Sequence, residues 1–134
     1  GRCGAGMRLQ WGTEPNCLLS RESTRMLEQL PQLLDVDVDI ELKQGGYLLL
    51  AYTEKMAAQF KKNLLLQNSL GIPSRWVTPA EAKEIVPHLN TAGLLGATFC
   101  AKDGHCNPFK ATAAYAKAAQ RYGVEIRQNP VGYY

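Results

Sequence analysis

The chain of 134 residues has little of what several large classes of protein require. No apolar run approaches the roughly 20 residues of a membrane-spanning helix, and the start of the chain has no signal-peptide pattern. The formal net charge is only +3 and the basic residues are dispersed, which argues against a nucleic-acid-binding surface. We therefore expect a cytoplasmic protein with no membrane span and no nucleic-acid partner.

Cysteine is also scarce, and its spacing lacks the paired pattern of a metal site. Cys100, His105 and Cys106 are close in the chain, but no second pair accompanies them. We interpret the cysteines as reduced and structural, and we predict no metal site.

Changes in hydrophobic period divide the first half of the chain into elements. Residues 13–15 open a helix that Pro31 is predicted to end. Apolar and acidic residues then alternate strictly from Asp35 to Leu42, which is typical of a strand with one solvated face. Residues 47–52 are apolar on both faces, as in an interior strand. The two segments are predicted to form a hairpin and begin an antiparallel sheet.

Residues 53–102 continue the same architecture. Thr53 is predicted to cap a helix that runs to about Leu70, and residues 75–77 read as a short strand. Residues 78–81 have the pattern of a capping box with proline at the first helical position. Residues 93–100 read as another strand. The pattern predicts an α+β fold, an antiparallel sheet with flanking helices, over residues 13–102.

The most informative stretch runs from Asp103 to Ile126. Asn107 and Pro108 are typical of a helix start, and Gly123 of a helix end before a new strand at 123–126. A crossover of this kind returns to a sheet, and little sequence follows it. The chain also starts at a glycine, so we expect a piece of a longer protein. One face of the helix predicted over 108–122 carries mainly small residues, and we predict that it packs closely on a sheet that is mostly absent from this chain: Phe109, Thr112, Ala113, Ala116 and Ala119.

The order of these motifs resembles the D-amino-acid oxidase superfamily of FAD-dependent oxidoreductases, nearest to the sarcosine oxidase beta subunit and glycine oxidase group. The resemblance rests on GRCGAGMRLQWG at 1–12, GGYL at 45–48, DGHCNP at 103–108 and GVEI at 123–126. Each motif alone is weak, and the ordered combination carries the resemblance.

The resemblance implies a two-domain flavoenzyme in which a second, antiparallel-sheet domain covers the substrate above the flavin. Residues 1–12 would be a flavin-proximal loop of the FAD domain, residues 13–102 half of the substrate domain, and residues 103–134 a helix and strand returning to the FAD domain. The family's GxGxxG phosphate-binding loop is absent from these 134 residues. We therefore expect FAD in the longer parent protein, none bound to the isolated chain, and no activity of the chain alone.

The same resemblance implies site residues. Backbone groups of a loop of small residues can lie against a flavin, so the predicted cofactor-binding residues are Arg2, Gly4, Ala5, Gly6 and Met7. Arg8 is predicted to hold a substrate carboxylate, with Gln10 beside it if the segment is extended. Each of these residues also has an alternative without a ligand, such as a surface arginine. His88 and His105 are interpreted as structural, and no catalytic residue is assigned.

The implied reaction removes a hydride equivalent from the carbon next to the nitrogen of a small amine or amino acid, giving an imine that hydrolyses. Two alternatives remain: a complete ligand-binding module, and an interaction subunit that completes its sheet with a partner chain. The unfinished crossover also predicts a homo-oligomer when the chain is alone.

Overall fold

The structure is a computed structural model that describes residues 4–127. In chain order its elements are β1 Gly6–Met7, α1 Glu14–Glu28, α2 Leu30–Leu34, β2 Tyr47–Ala51, α3 Glu54–Ser69, β3 Arg75–Val77, α4 Pro79–Ile85, β4 Gly96–Cys100, β5 Gly104–His105 and α5 Pro108–Arg121. The strands form an antiparallel sheet in the order β2-β4-β3 and an antiparallel pair β1-β5. The α+β prediction is confirmed.

Three helices begin where their capping residues predicted. The hydroxyl of Thr53 accepts the Met56 amide at 3.2 Å, which satisfies one free N–H group of the first turn of α3. Thr78 and Glu81 form a reciprocal capping box at α4. The side chain of Asn107 accepts two amides of the first turn of α5. These short polar residues thus set the start of each helix.

Strand β4 forms the centre of the three-stranded sheet. Thr98 lies opposite Leu49 of β2 and Trp76 of β3. Alternation along β4 places Ala97 and Cys100 on opposite faces. Ala97 packs in a cluster with α4, and Cys100 packs in a cluster with the end of α3. The sheet is therefore covered by helices on both faces.

The predicted strand over residues 35–42 is wrong, and so is the hairpin that contained it. Val36, Val38 and Leu42 are half-buried, Ile40 is buried and the acidic residues are exposed, so the alternation did identify the inward side. This apolar side packs against α2 and α5. Asp35 and Glu41 adopt left-handed backbone angles, and residues 35–42 pair with no strand of the described chain. Only Lys43, at its end, pairs with another extended residue, His105. The partner of β2 is β4 instead.

Pro31 does not end the first helix. Helix α1 stops at Glu28, and the short helix α2 begins at Leu30 with Pro31 in its first turn. Proline is tolerated there because the N–H group that it lacks would have no partner inside the helix.

The C-terminal helix buries a different face within the described chain from the face predicted to pack on the missing sheet. Helix α5 buries Ala114 and Ala118, whereas Phe109, on the face predicted to pack, is 77% exposed. The inward residues contact the 36–42 segment and α2 rather than a sheet. Residues 124–127 pair with no strand of the described part of the chain, and their predicted return to a sheet outside this chain stays a prediction.

Candidate functional site

The β1-β5 pair fixes the glycine-containing start of the described chain to the segment that follows β4. Gly6 pairs with His105, and Met7 pairs with Gly104. A Cβ atom on Gly104 would lie 2.0 Å from the carbonyl oxygen of Lys43, and one on Gly6 would lie 2.7 Å from the Tyr47 hydroxyl. Only glycine allows the three segments to come this close. We call this meeting of the β1-β5 pair with residues 8–10 and 103 the junction.

Asp103 lies fully buried in the junction. One oxygen of its carboxylate accepts the backbone N–H of Leu9 at 2.7 Å, and the other accepts the side-chain Nε2 of Gln10 at 2.7 Å. The same Nε2 donates to the carbonyl of Tyr47 at 3.0 Å. Burial raises the pKa of Asp103, while both hydrogen bonds and the charge of Arg8 act in the opposite direction.

Sequence reasoning missed this role, because Asp-Gly is usually a solvent-exposed turn signal. Nothing local in the sequence distinguishes a buried Asp103 from an exposed one. The signal that could have found it is the partner, a glutamine that directly follows Leu9 in a short stretch with several large apolar residues.

Arg8 lies beside the junction and is held by Trp11. Its guanidinium carbon is 3.7 Å from the centre of the Trp11 ring, and the indole N–H donates to the Arg8 carbonyl at 2.8 Å. Nε of Arg8 is buried and has no hydrogen-bond partner within residues 4–127. No carboxylate of the described residues forms a salt bridge with Arg8. The cation is thus oriented and available to an anion.

Arg8 lines a groove of about 410 Å³ between β1 and α1. Its walls are mainly apolar, with Met7 and Trp11 on one side and Leu19 and Leu27 on the other. Among residues 4–127, no acidic side chain lines it. A mainly apolar groove with one fixed cation suits a small molecule that carries an anionic group.

Two of the predicted cofactor-binding residues, Gly6 and Met7, line this groove. Gly4 and Gly6 are exposed, and a Cβ atom on Gly4 would meet nothing within 4 Å. Met7 is buried apart from the small surface that it contributes to the groove. Arg2 lies outside the described residues. A loop of small residues can lie close to the flat face of a flavin ring. The assignment of these residues to FAD remains a prediction.

Gln10 diverges from Arg8, because the chain turns after Leu9, where the Trp11 amide donates to the Leu9 carbonyl at 2.8 Å. The Gln10 side chain is buried against Asp103 and does not line the groove. Its predicted contact with substrate stays a prediction, and its position in the structure is behind the groove wall.

The remaining sequence candidates have these positions. His88 and His105 are exposed, and the Tyr47 hydroxyl donates to the Gly104 carbonyl at 2.9 Å. Burial raises the pKa of the Cys17 and Cys100 thiols, which keeps them protonated.

Among residues 4–127 there is no group of three metal-ligating side chains. In the same range no helix is long and apolar enough to cross a bilayer.

The family model described as FAD dependent oxidoreductase matches residues 1–132. The chain belongs to this family. Its flavoenzyme resemblance is thereby confirmed, and the similar proteins described next are members that oxidise or dehydrogenate small amines.

One similar protein is the sarcosine oxidase subunit beta of Rhodobacter capsulatus, 28% identical over 92% of this chain and 30% of the relative. The structure of L-proline dehydrogenase from P. horikoshii is 36% identical with a TM-score of 0.81, over 90% of this chain and 31% of that one. The structure of glycine oxidase from Geobacillus kaustophilus is 28% identical with a TM-score of 0.72, over 87% of this chain and 33% of that one. The chain therefore spans about a third of the length of these proteins.

Proposed function

We propose that the full-length protein uses FAD to oxidise the C–N bond of a small amine or amino acid that carries a carboxylate. The observation that carries this proposal is Arg8, a stacked cation with no ion-pair partner among residues 4–127, on the wall of a mainly apolar groove. The similar proteins are named for sarcosine, glycine and L-proline, and each of these is an amine with a carboxylate. Family membership supports the redox chemistry.

In this proposal Arg8 binds the substrate carboxylate with its guanidinium fork and so orients the carbon next to nitrogen. The backbone of Gly4, Ala5, Gly6 and Met7 would hold the flavin ring, and Arg2 would bind the cofactor phosphates. FAD, when bound, supplies the acceptor for the hydride equivalent.

The proposed domain assignment places residues 1–12 with the FAD domain, 13–102 with the substrate domain and 103–134 with the return to the FAD domain. We expect the isolated chain to bind no FAD and to turn over no amine, because a GxGxxG helix start for the pyrophosphate is not among its residues. Purified isolated chain should be colourless, and a preparation with stoichiometric flavin absorbance would contradict this part of the proposal.

The test of the proposed function uses the full-length protein with its flavin. Arg8→Ala should lower kcat/KM for a carboxylate-bearing amine by roughly 2 to 4 kcal/mol in transition-state terms, and Arg8→Lys should restore only part of this loss. Arg21→Ala is the matched control, because Arg21 lies on α1 and bonds Glu22 and the Leu70 carbonyl instead. Unchanged kinetics in Arg8→Ala would remove Arg8 from the substrate site.

A second candidate function is a subunit-interaction domain, favoured by the exposed apolar side chains at the C-terminal end of the described chain. Tyr122 is 88% exposed and Val124 52% exposed. Such a surface needs a covering partner. For the isolated chain we propose a homo-oligomer, and sedimentation that shows a monomer at tens of micromolar would contradict it.

A further inference from the structure

The junction holds a charged group that neither the family membership nor the proposed chemistry explains. Asp103 is fully buried, whereas the other groups of the proposed site lie on the groove or on the exposed strand. Burying a carboxylate is costly because its charged form loses hydration. The chain could turn after β4 without burying a carboxylate. The turn alone therefore does not account for the burial of Asp103.

The contacts of Asp103 converge on the segment that presents Arg8. Its carboxylate accepts the N–H of Leu9, the residue next to Arg8, and the side chain of Gln10. The Asp103 carbonyl accepts the Gly46 amide at 2.9 Å, and Gln10 continues to the Tyr47 carbonyl. One residue thus connects the Arg8 segment to the first residues of β2.

We propose that Asp103 is the positioning residue of Arg8: its buried carboxylate holds the Leu9–Gln10 turn and thereby sets the place of the Arg8–Trp11 stack beside the groove. The inference that Asp103 sets the position of Arg8 is based on these contacts. Only the expected effect on substrate binding rests on the proposed function. Asp103 touches neither the groove nor the exposed glycines, so it acts through Leu9 and Gln10.

The substitution Asp103→Asn should break this arrangement while keeping its shape. The new side chain would retain an acceptor for the Leu9 amide but would direct its own N–H₂ group at Nε2 of Gln10, placing two donors face to face. Gln10 would have to turn its amide over, and the Tyr47 carbonyl would then lose its donor. The Leu9–Gln10 turn would be free to move, and Arg8 would move with it.

Trp11 reports on the position of Arg8 without any need for turnover. Its ring stacks on the guanidinium, so a 5-fluorotryptophan label at this position gives a ¹⁹F resonance sensitive to the stack. The label is introduced into the full-length protein, and Trp11→Phe assigns the resonance. Arg8→Gln supplies the resonance position of an unstacked ring.

In Asp103→Asn we expect the Trp11 resonance to shift toward its position in Arg8→Gln. We also expect KM for a carboxylate-bearing amine to rise about tenfold while kcat changes less than about threefold, because the anchor and not the reacting centre is displaced. Thr53→Ala is the control for general destabilisation, since it removes the cap of α3 away from the junction and should leave the resonance in place.

An unchanged Trp11 resonance in Asp103→Asn, or an equal shift in Thr53→Ala, overturns the proposal. If Asp103→Asn does not fold, Gln10→Met removes the second contact and keeps the Leu9 bond, and it must shift the resonance in the same direction. A shifted resonance with unchanged KM supports the positioning role and contradicts the carboxylate role of Arg8, so failure of the two ideas can be told apart.

Discussion

The acidic side chains of this protein occupy two opposite environments. Four of them, at positions 35, 37, 39 and 41, form a row of exposed groups on one segment. Asp103 is alone, fully buried, and bonded to two donors. The row is conspicuous in the sequence and the single residue is not. The difference teaches that a charge pattern identifies the solvated side of a segment, whereas a structural charge depends on partners distant in the chain.

The largest effect is expected at Gly104, which lets the junction close around Asp103. Gly104→Ala places a Cβ atom 2.0 Å from the Lys43 carbonyl oxygen, so the backbone must separate. We expect a loss of roughly 4 kcal/mol in the free energy of unfolding, or failure to fold. Gly45→Ala is the matched control, because its Cβ atom would meet nothing within 4 Å. Urea denaturation measures both, and equal stabilities would contradict the tight packing of the junction.

The second-largest effect on unfolding free energy is expected when one acidic residue from each environment is replaced by alanine. Asp103→Ala leaves the Leu9 amide and the Gln10 side chain without their buried acceptor, which should cost about 3 kcal/mol of unfolding free energy. Asp37→Ala, in the exposed row, should change stability by less than about 0.5 kcal/mol. Comparable losses from the two substitutions would show that the row is structural after all.

The pH dependence of stability should have opposite signs in the two environments. Burial raises the pKa of Asp103 above its ordinary value of 3.8, so the folded protein holds that proton more tightly than the unfolded chain does. The stability that this residue contributes is greatest below pH 3.8 and falls as the pH rises through its folded pKa. The unfolding free energy of the natural protein, relative to that of Asp103→Asn, should therefore decrease as the pH rises through the folded pKa of Asp103. A difference that grows with pH would contradict burial as the dominant cause.

The smallest effect is expected at Glu41, a member of the row that has two partners at the start of α5. Its carboxylate accepts hydrogen bonds from Lys110 and Asn107, and these bonds lower its pKa below the ordinary 4.5, Lys110 more than Asn107. Its contribution is present above pH 4.5 and is lost as the pH falls, the reverse of Asp103. Glu41→Gln should remove a small stabilisation that added salt also removes. A loss as large as that of Asp103→Ala, or one insensitive to salt, would contradict this view.

Much of the fold could be predicted because its signals are local. The caps at Thr53, Thr78 and Asn107 act within one helical turn, and the sequence contains both partners of each interaction. The inward side of residues 36–42 was likewise visible as alternation. Whether that segment pairs with β2 was not visible, since pairing depends on the competing partner β4, about 50 residues further along the chain.

The candidate site was predictable only in part. The glycine-containing loop and Arg8 could be singled out because small residues followed by a cation suggest a ligand-facing loop. The role of Asp103 could not, because its contacts with Leu9 and Gln10 span more than 90 residues of sequence. The packed face of α5 was missed for the same reason, since its small residues surround the helix and only tertiary contacts select Ala114 and Ala118.

The central claim is that Arg8, held beside the groove, binds the carboxylate of the substrate. The most direct measurement is a thermodynamic cycle on the full-length flavin-loaded protein. It compares kcat/KM of the natural protein and of Arg8→Gln for an amine with a carboxylate and for the same amine with a neutral amide in its place. We expect a coupling energy of roughly 2 kcal/mol or more between Arg8 and the carboxylate. If the two changes are additive, with a coupling energy near zero, Arg8 does not bind the carboxylate and the account is contradicted.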